Sequence, residues 1–427
     1  MQLRDELTRL LPQAVSASWP PQQWDRGQLL AVALVRNQQL AVERAHVQAA
    51  LAHQVTAAEG PNPDLTLQSE YAGHQEMHPW LYGLAVSWLL RSPNRWRLER
   101  EVARLNTANV RLQLMDQTWS LRRELNTALA NWEGARRKLV LLEQLAAAQE
   151  RVLALERKRV EAGEDSPNEP LTLEQARIET EQQEAQARAQ ADAAQADAAK
   201  ALGLPLDTLD GMVFTWPDWG TPPAVSEEQR SQAREQALLS RADLGSAIGE
   251  YAIAETQLKL AVARQYPELV IGPGYYWDHG VAKWPLDVGF TLPVNRNRGE
   301  IAEARAAREL AGKRMIALQA DIYGEIVEAE RAERRAQEST DTAERRLETA
   351  RRQLAQGDLS LRLGESDLLE HGSSEILALR AELEVLEMRA QLQAARNNLE
   401  DVLHEPLSGP EVALAKSSYS IPSGAGS

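Results

Sequence analysis

The sequence predicts a mainly α protein with a smaller β part: long antiparallel helical hairpins plus four strands per chain. Three observations predict it. The chain is duplicated, with Pro63-Asp64-Leu65 standing over Pro267-Glu268-Leu269, Tyr71 over Tyr275, Trp80 over Trp284, Leu84 over Val288, Val86 over Phe290, Glu99 over Glu303 and Ala103-Arg104 over Ala307-Arg308, all at an offset of 204 residues. Each copy carries two segments in which larger apolar residues alternate with small or polar ones, the period of a strand. Each copy then enters a very long Pro-free stretch rich in Ala, Glu, Gln, Arg and Leu, a composition suited to extended helices packed through narrow seams. A repeat that holds both strand and helix segments excludes a simple coiled-coil rod.

Residues 1–24 form an N-terminal segment, and 25–203 the first repeat. The opening helix covers about 25–58 and begins at Asp25. Leu65, Leu67, Ser69 and Tyr71 then alternate with Thr66, Gln68 and Glu70, and Trp80, Tyr82, Leu84, Val86, Trp88 and Leu90 with Leu81, Gly83, Ala85, Ser87 and Leu89. The second copy sets Leu269, Ile271, Tyr275 and Trp277, then Trp284, Leu286, Val288, Phe290, Leu292 and Val294, against Lys283, Asp287, Gly289 and Thr291. The connecting pieces 72–79 and 278–283 contain Gly, His, Asp and Lys and are expected as exposed hairpin loops.

After Ser92-Pro93-Asn94 a helix runs from about Trp96 to Ala162 with a lone Gly134 inside it. At 1.5 Å per residue its length is about 100 Å. Its counterpart leaves the second strand pair through Pro293-Val294-Asn295-Arg296-Asn297-Arg298-Gly299 and runs to about Leu363. Gly163 and Gly364 end these helices by supplying a left-handed position. From there the offset becomes 201, so the first long helix is 3 residues longer than the second. Return helices follow at about 171–202 and 372–403; in the first, Ala187, Ala191, Ala194, Ala198 and Ala201 form one stripe, a seam for close helix approach. The linker 204–226, with Trp216, Trp219 and several Pro, is expected as an ordered belt. The second repeat, 227–405, opens with a helix over about 227–265 begun by Ser226, and 406–427 is a tail expected to be disordered.

At 427 residues the chain could hold two or three ordinary domains, but with only 2 Phe and 5% aromatics it lacks the material for thick globular cores. The absence of Cys excludes disulfides, thiolate metal sites, cysteine nucleophiles and an N-terminal Cys for acylation. The net charge of −15, with basic residues interleaved among acidic ones, excludes nucleic acid as a partner. No run of about 18 apolar residues exists, so no helix is expected to span a bilayer. Met1-Gln2-Leu3-Arg4-Asp5-Glu6 lacks the pattern of a secretory signal, which taken alone indicates the cytoplasm; the alternative is a mature or trimmed form with an added Met.

The strands decide between these. About ten residues is the length that crosses a bilayer at a steep tilt. One face carries Tyr71, Trp80, Tyr82, Leu84, Val86, Trp88, Tyr275, Trp277, Trp284, Leu286, Val288 and Phe290, with aromatics near the loop end where an interfacial girdle belongs, and is expected to face lipid. Soluble hairpins packed on a helix are the competing reading. An isolated hairpin is marginal in water, however, and helices this long offer it little core. Four strands cannot close a barrel, and each unpaired backbone group in lipid costs several kcal/mol. Three copies would supply twelve strands and a closed wall, so a homotrimer follows from the membrane reading.

Over about 25–405 the order helix, strand, strand, long helix, short helix, duplicated, resembles the TolC-like outer membrane efflux protein family. The resemblance is carried by Ser240-Arg241-Ala242-Asp243-Leu244, by Gln265-Tyr266-Pro267-Glu268-Leu269, by the strand exit from Phe290 to Ala304, and by Arg362-Leu363-Gly364-Glu365-Ser366-Asp367-Leu368-Leu369. The run from Asn295 to Ala304 is most similar to the heavy-metal (CzcC-like) branch. The resemblance implies a trimeric 12-stranded β-barrel in the outer membrane of a Gram-negative bacterium above a periplasmic α-helical barrel. It further implies docking through the tips onto a periplasmic adaptor (membrane fusion) protein and an inner-membrane pump of the resistance-nodulation-division (RND) type, with heavy-metal cations as one candidate cargo. The chain departs from family precursors in its N-terminus, and His371-Gly372 breaks the apolar pattern usual just past the second tip.

Such a duct is not an enzyme and needs no cofactor. Ser, His and Asp are scattered without nucleophile-elbow or metal-ligand spacing, and no Gly-rich phosphate loop follows a strand. At the tips, Arg159, Val160, Gly163, Arg362, Leu363 and Gly364 are the expected adaptor contacts. Glu164, Asp165, Glu365, Asp367 and Glu370 are candidate gate carboxylates, which threefold symmetry would turn into rings; the plainer alternative is that they are solvated charges at helix turns. His46 and His53 lie seven apart on one helix, and His74 and His78 flank Glu76 in a loop, but neither pair has preformed geometry and no metal site is expected. Two other functions compete: a soluble structural coiled-coil scaffold, which leaves the hairpins unexplained, and a periplasmic adaptor, which would carry one central hairpin rather than two.

Overall fold

A computed structural model describes residues 4, 21–73, 77, 79–278 and 280–412. Its helices are α1 (Arg26–Arg36), α2 (Gln38–Ala58), α3 (Pro93–Glu161), α4 (Glu169–Leu202), α5 (Glu227–Ser240), α6 (Ala242–Ala263), α7 (Arg298–Leu363) and α8 (Leu368–Leu403). Its strands are β1 (Asp64–Tyr71), β2 (Trp80–Leu90), β3 (Leu269–Asp278), β4 (Val281–Lys283) and β5 (Leu286–Phe290). The chain divides into two compact units. One comprises Met1–Ala41, Gln117–Arg241 and Asp321–Ser427; the other comprises Val42–Asp116 and Ala242–Ala320 and contains the sheet.

The sheet is antiparallel in the order β1-β2-β3, with β4 and β5 both on the far side of β3. Tyr276 pairs with Lys283 and Leu269 with Phe290, which is one unbroken register. β4 and β5 are therefore a single strand interrupted at Pro285, whose ring removes an amide donor, and the expected four strands are present. The second connecting piece is much shorter than expected. Asp278 already pairs with Val281, Gly280 takes φ 99°, and residues 281–283 are strand rather than loop.

In the helical unit both hairpin tips close as the sequence indicates. Gly163 and Gly364 take φ of 78° and 76°. Glu164 N–H reaches back to the Arg159 carbonyl and Gly163 N–H to Val160; Glu365 and Gly364 repeat this on Ser360 and Leu361. This pairing satisfies the last carbonyls of each long helix. Behind the first tip, Ala187, Ala194, Ala198 and Ala201 are buried along the predicted stripe.

The two short opening helices begin as expected, at Asp25 and Ser226, each in a reciprocal box with a Gln three residues on. Neither is continuous. Each breaks once, at Asn37 (φ −62°, ψ 124°) and at Arg241 (φ −61°, ψ 125°), positions separated by the repeat offset. The cause is a side chain reaching across. Asn37 Nδ2 donates to the Ala201 carbonyl, and Arg241 Nη1 donates to Val402.

The linker is an ordered belt. Leu209, Phe214, Trp216 and Trp219 are all buried. Trp219 donates to the Ala130 carbonyl at 3.1 Å, and its ring lies where a Cβ on Gly134 would approach to 2.9 Å. That contact explains the lone glycine of α3. The tail expectation holds less well, because 406–412 is ordered and Glu411 is 1% exposed; residues 413–427 lie outside the described residues, as do His74, Glu76 and His78.

Candidate functional site

The strand registers settle which residues share a side of the sheet. Leu65 pairs with Val86, Leu67 with Leu84, Ser69 with Tyr82 and Tyr71 with Trp80. Across the next ladder Tyr82 pairs with Trp277, Leu84 with Tyr275, Trp88 with Ile271 and Leu90 with Leu269. Leu269, Ile271 and Pro273 then pair with Phe290, Val288 and Leu286. Because directly paired residues project to the same side, all twelve expected lipid-facing residues lie on one continuous face with no charged residue among them. That face is open: Trp284 is 79% exposed, Leu67 74% and Val288 58%. Tyr71 and Trp80 have ring centroids 4.9 Å apart, and Tyr275 and Trp284 repeat the pair at 4.8 Å, both at the loop end.

The opposite face carries Asp64, Thr66, Gln68, Glu70, Ser87, Asp278, Lys283 and Asp287, with Lys283 ion-paired to Asp278. It also carries a residue sequence reasoning missed. Tyr276 lies flat across the neighbouring strand, so that a Cβ on Gly83 would come within 2.3 Å of its ring. The aromatic thereby covers backbone instead of projecting outward. The available signal was a Gly of β2 opposite an aromatic of β3.

At the tips the structure brings together four of the predicted residues. Arg159 lies 2.8 Å from Asp165 in its own turn and 3.3 Å from Asp367 in the other hairpin, with Glu164 at 3.8 Å. Asp367 also accepts the Glu370 amide at 2.8 Å and starts α8. Burial, and after it the adjacent Asp165, pushes the Glu156 carboxyl above its ordinary range. Val160 is half-buried, whereas Gly163, Glu164, Arg362, Leu363, Gly364, Glu365 and Glu370 are exposed. The irregular His371-Gly372 has a packing reason. His371 Nε2 lies 2.5 Å from Asp358, and a Cβ on Gly372 would meet Val152 at 2.5 Å, so only Gly allows α8 that close to α3. His46 and His53 are exposed, and His46 contacts Glu43 at 3.3 Å.

Residues 29–204, the first repeat almost entire, match the family described as outer membrane efflux protein. Over that span the chain is similar to the outer membrane efflux protein family. No curated protein sequence matches the chain. Its fold is that of solved outer membrane channels. It is similar to the outer-membrane channel OprN (TM-score 0.74, 19% identity, 90% of each chain covered). It is also similar to CusC (0.71, 17% identity, 91% of this chain and 94% of that one). A third likeness is to the open state of the Neisseria gonorrhoeae MtrE outer membrane channel (0.71, 16% identity, 88% of each chain). The family match covers the first repeat, and the structural likenesses extend the same fold across the second. Among the described residues no helix is long and apolar enough to cross a membrane.

Proposed function

We propose that this protein is the outer membrane exit duct of a tripartite efflux system, a passive channel rather than an enzyme. The observation that carries the reading is the sheet: four strands of membrane-crossing length, in one register, with an exposed face of aromatic and aliphatic side chains and polar residues behind it. In water such a face would sacrifice most of the stabilisation that burial gives, about 1.5–3 kcal/mol for each large apolar side chain. Against acyl chains it is the favourable arrangement. The outer edges of β1 and β5 then need partners, and two further copies of the chain supply them as a homotrimeric wall. The helical part belongs in the periplasm, where the tips engage an adaptor protein and through it an RND-type inner-membrane pump. The exposed Leu363 and Arg362 suit that contact. Arg159, holding Asp165 and Asp367 from two hairpins, suits a closed gate that opens when these pairs exchange. Heavy-metal cations as cargo rest on the run from Asn295 to Ala304 alone.

Val86→Asp and Val288→Asp test the reading, since each sets a charge against acyl chains at a cost of up to roughly a few kcal/mol. The amount of trimer extracted from outer membranes should fall severalfold for both. Thr291→Asp, whose position in the alternation belongs to the opposite face, should leave it unchanged. Equal tolerance at all three positions, or a monomer that stays in solution without detergent, would overturn the assignment.

A further inference from the structure

The helical unit contains a buried ionic cluster that the transport reading does not use. Arg122 of α3 lies 2.5 Å from Glu400, 2.7 Å from Glu411 and 3.3 Å from Asp401, so three carboxylates converge on one guanidinium whose side chain is 6% exposed. Glu400 and Glu411 are each 1% exposed. Asn126 Nδ2 donates to Glu411 at 3.3 Å, and the Leu407 amide donates to Glu400 at 3.1 Å. The charged and titratable groups facing the cluster come from each element packed on it. α1 supplies Arg26, stacked 4.2 Å over Trp216, and Arg26 would also touch a Cβ on Gly409. α3 supplies Arg123, which acts on Asp401. The end of α8 supplies His404, whose ring lies 5.2 Å from Trp119. The last described residues are thus held to the helices through side chains around Arg122.

Three carboxylates this close, Glu400 and Glu411 buried and Asp401 largely so, repel one another, and burial favours their neutral forms. Burial outweighs the attraction of Arg122 at Glu400, which is pushed up, and at Asp401, which is pushed up to about 7. We propose that residues 406–412 form a proton-retaining latch, gripping α3 while the cluster around Arg122 holds a proton and loosening once that proton leaves. The direction follows from linkage. A carboxyl whose folded value lies above its unfolded value stabilises the folded form fully below the unfolded value, and that contribution is lost as pH rises through the folded value. For Asp401 the window runs from its ordinary 3.8 to about 7, so the grip weakens progressively across that range and its last part is lost between about pH 6 and 8.

Hydrogen exchange on the full-length protein in detergent reads this at the Leu407 amide. After correction for the intrinsic pH dependence of exchange, protection across 407–412 should fall by about tenfold from pH 6 to pH 8, the loss that linkage gives for one proton leaving a group centred at about 7. The belt at 214–219 serves as the internal reference. Asp401→Asn should hold protection at or above the pH 6 level throughout. Should that variant fold poorly, Glu411→Gln removes one of the same three negative charges and should flatten the profile likewise. Protection in the unsubstituted protein that does not change with pH, or a slope that survives both substitutions, would overturn the latch.

Discussion

In the sheet Trp284 is 79% exposed and Leu67 74%, while in the helical unit Glu400 and Glu411 are each 1% exposed and Arg396 4%. An ordinary water-soluble domain has the reverse pattern, with large apolar side chains inside and charges outside. The two regions reach their inversions by different routes. The sheet has one layer and no core to hide its apolar face, and on the proposed function what lies outside is as apolar as the face itself. The helices meet through Ala seams too narrow for thick apolar packing. Buried charges there are held by explicit partners instead, as Glu333 is by Arg396 at 2.5 Å and Arg230 at 2.7 Å. Stability in one region therefore depends on the medium, and in the other on pairing.

The largest effect that would sharpen this contrast is Arg122→Ala. Removing the shared cation leaves three carboxylates unpaired, at about 3–5 kcal/mol for a broken buried pair. Thermal unfolding in detergent should show a large drop, and a loss under about 1 kcal/mol would mean the pairing carries little. Next comes Gly83→Val in the sheet, where the new side chain meets the Tyr276 ring. Overpacking of this kind costs about 1–3 kcal/mol. The double variant with Tyr276→Ala should recover most of the loss, and failure to recover would place the defect in the strand backbone. The smallest change in stability belongs to Arg159→Ala, since partly exposed pairs contribute about 0–1 kcal/mol. Its effect should appear in planar bilayers as raised conductance; unchanged conductance would remove Arg159 from the proposed gate.

Much of the sheet was legible because a period of two is local. Once Trp80, Tyr82, Leu84 and Val86 alternate with Leu81, Gly83 and Ala85, the side on which each lies follows without knowing its partners. The tips were legible for the same reason, since Gly163 and Gly364 announce a left-handed residue by themselves. The breaks at Asn37 and Arg241 were not. Both residues are compatible with a helix, and what interrupts it is a carbonyl at Ala201 or Val402 more than 160 positions away along the chain. Glu411 was hidden similarly, in a tail whose composition speaks of solvent while its partner Arg122 sits 289 residues earlier. The second connecting piece was overdrawn because Asp278, Gly280 and Lys283 read as loop residues, though the ladder continues through Asp278 and Val281.

Proline in the sheet has one more effect. The Gly274 amide donates to the Pro285 oxygen, so residue 285 directs its backbone inward to β3, and alternation turns the N–H and C=O of Trp284, Leu286, Val288 and Phe290 outward. The donor that Pro285 lacks is therefore subtracted from a ladder within this subunit. Ala72, bonded to the Pro79 oxygen, fixes β1 in the same manner, leaving the backbone groups of Leu65, Leu67, Ser69 and Tyr71 pointing away from β2. Both selvedges of this cloth keep their full row of stitches for a neighbour.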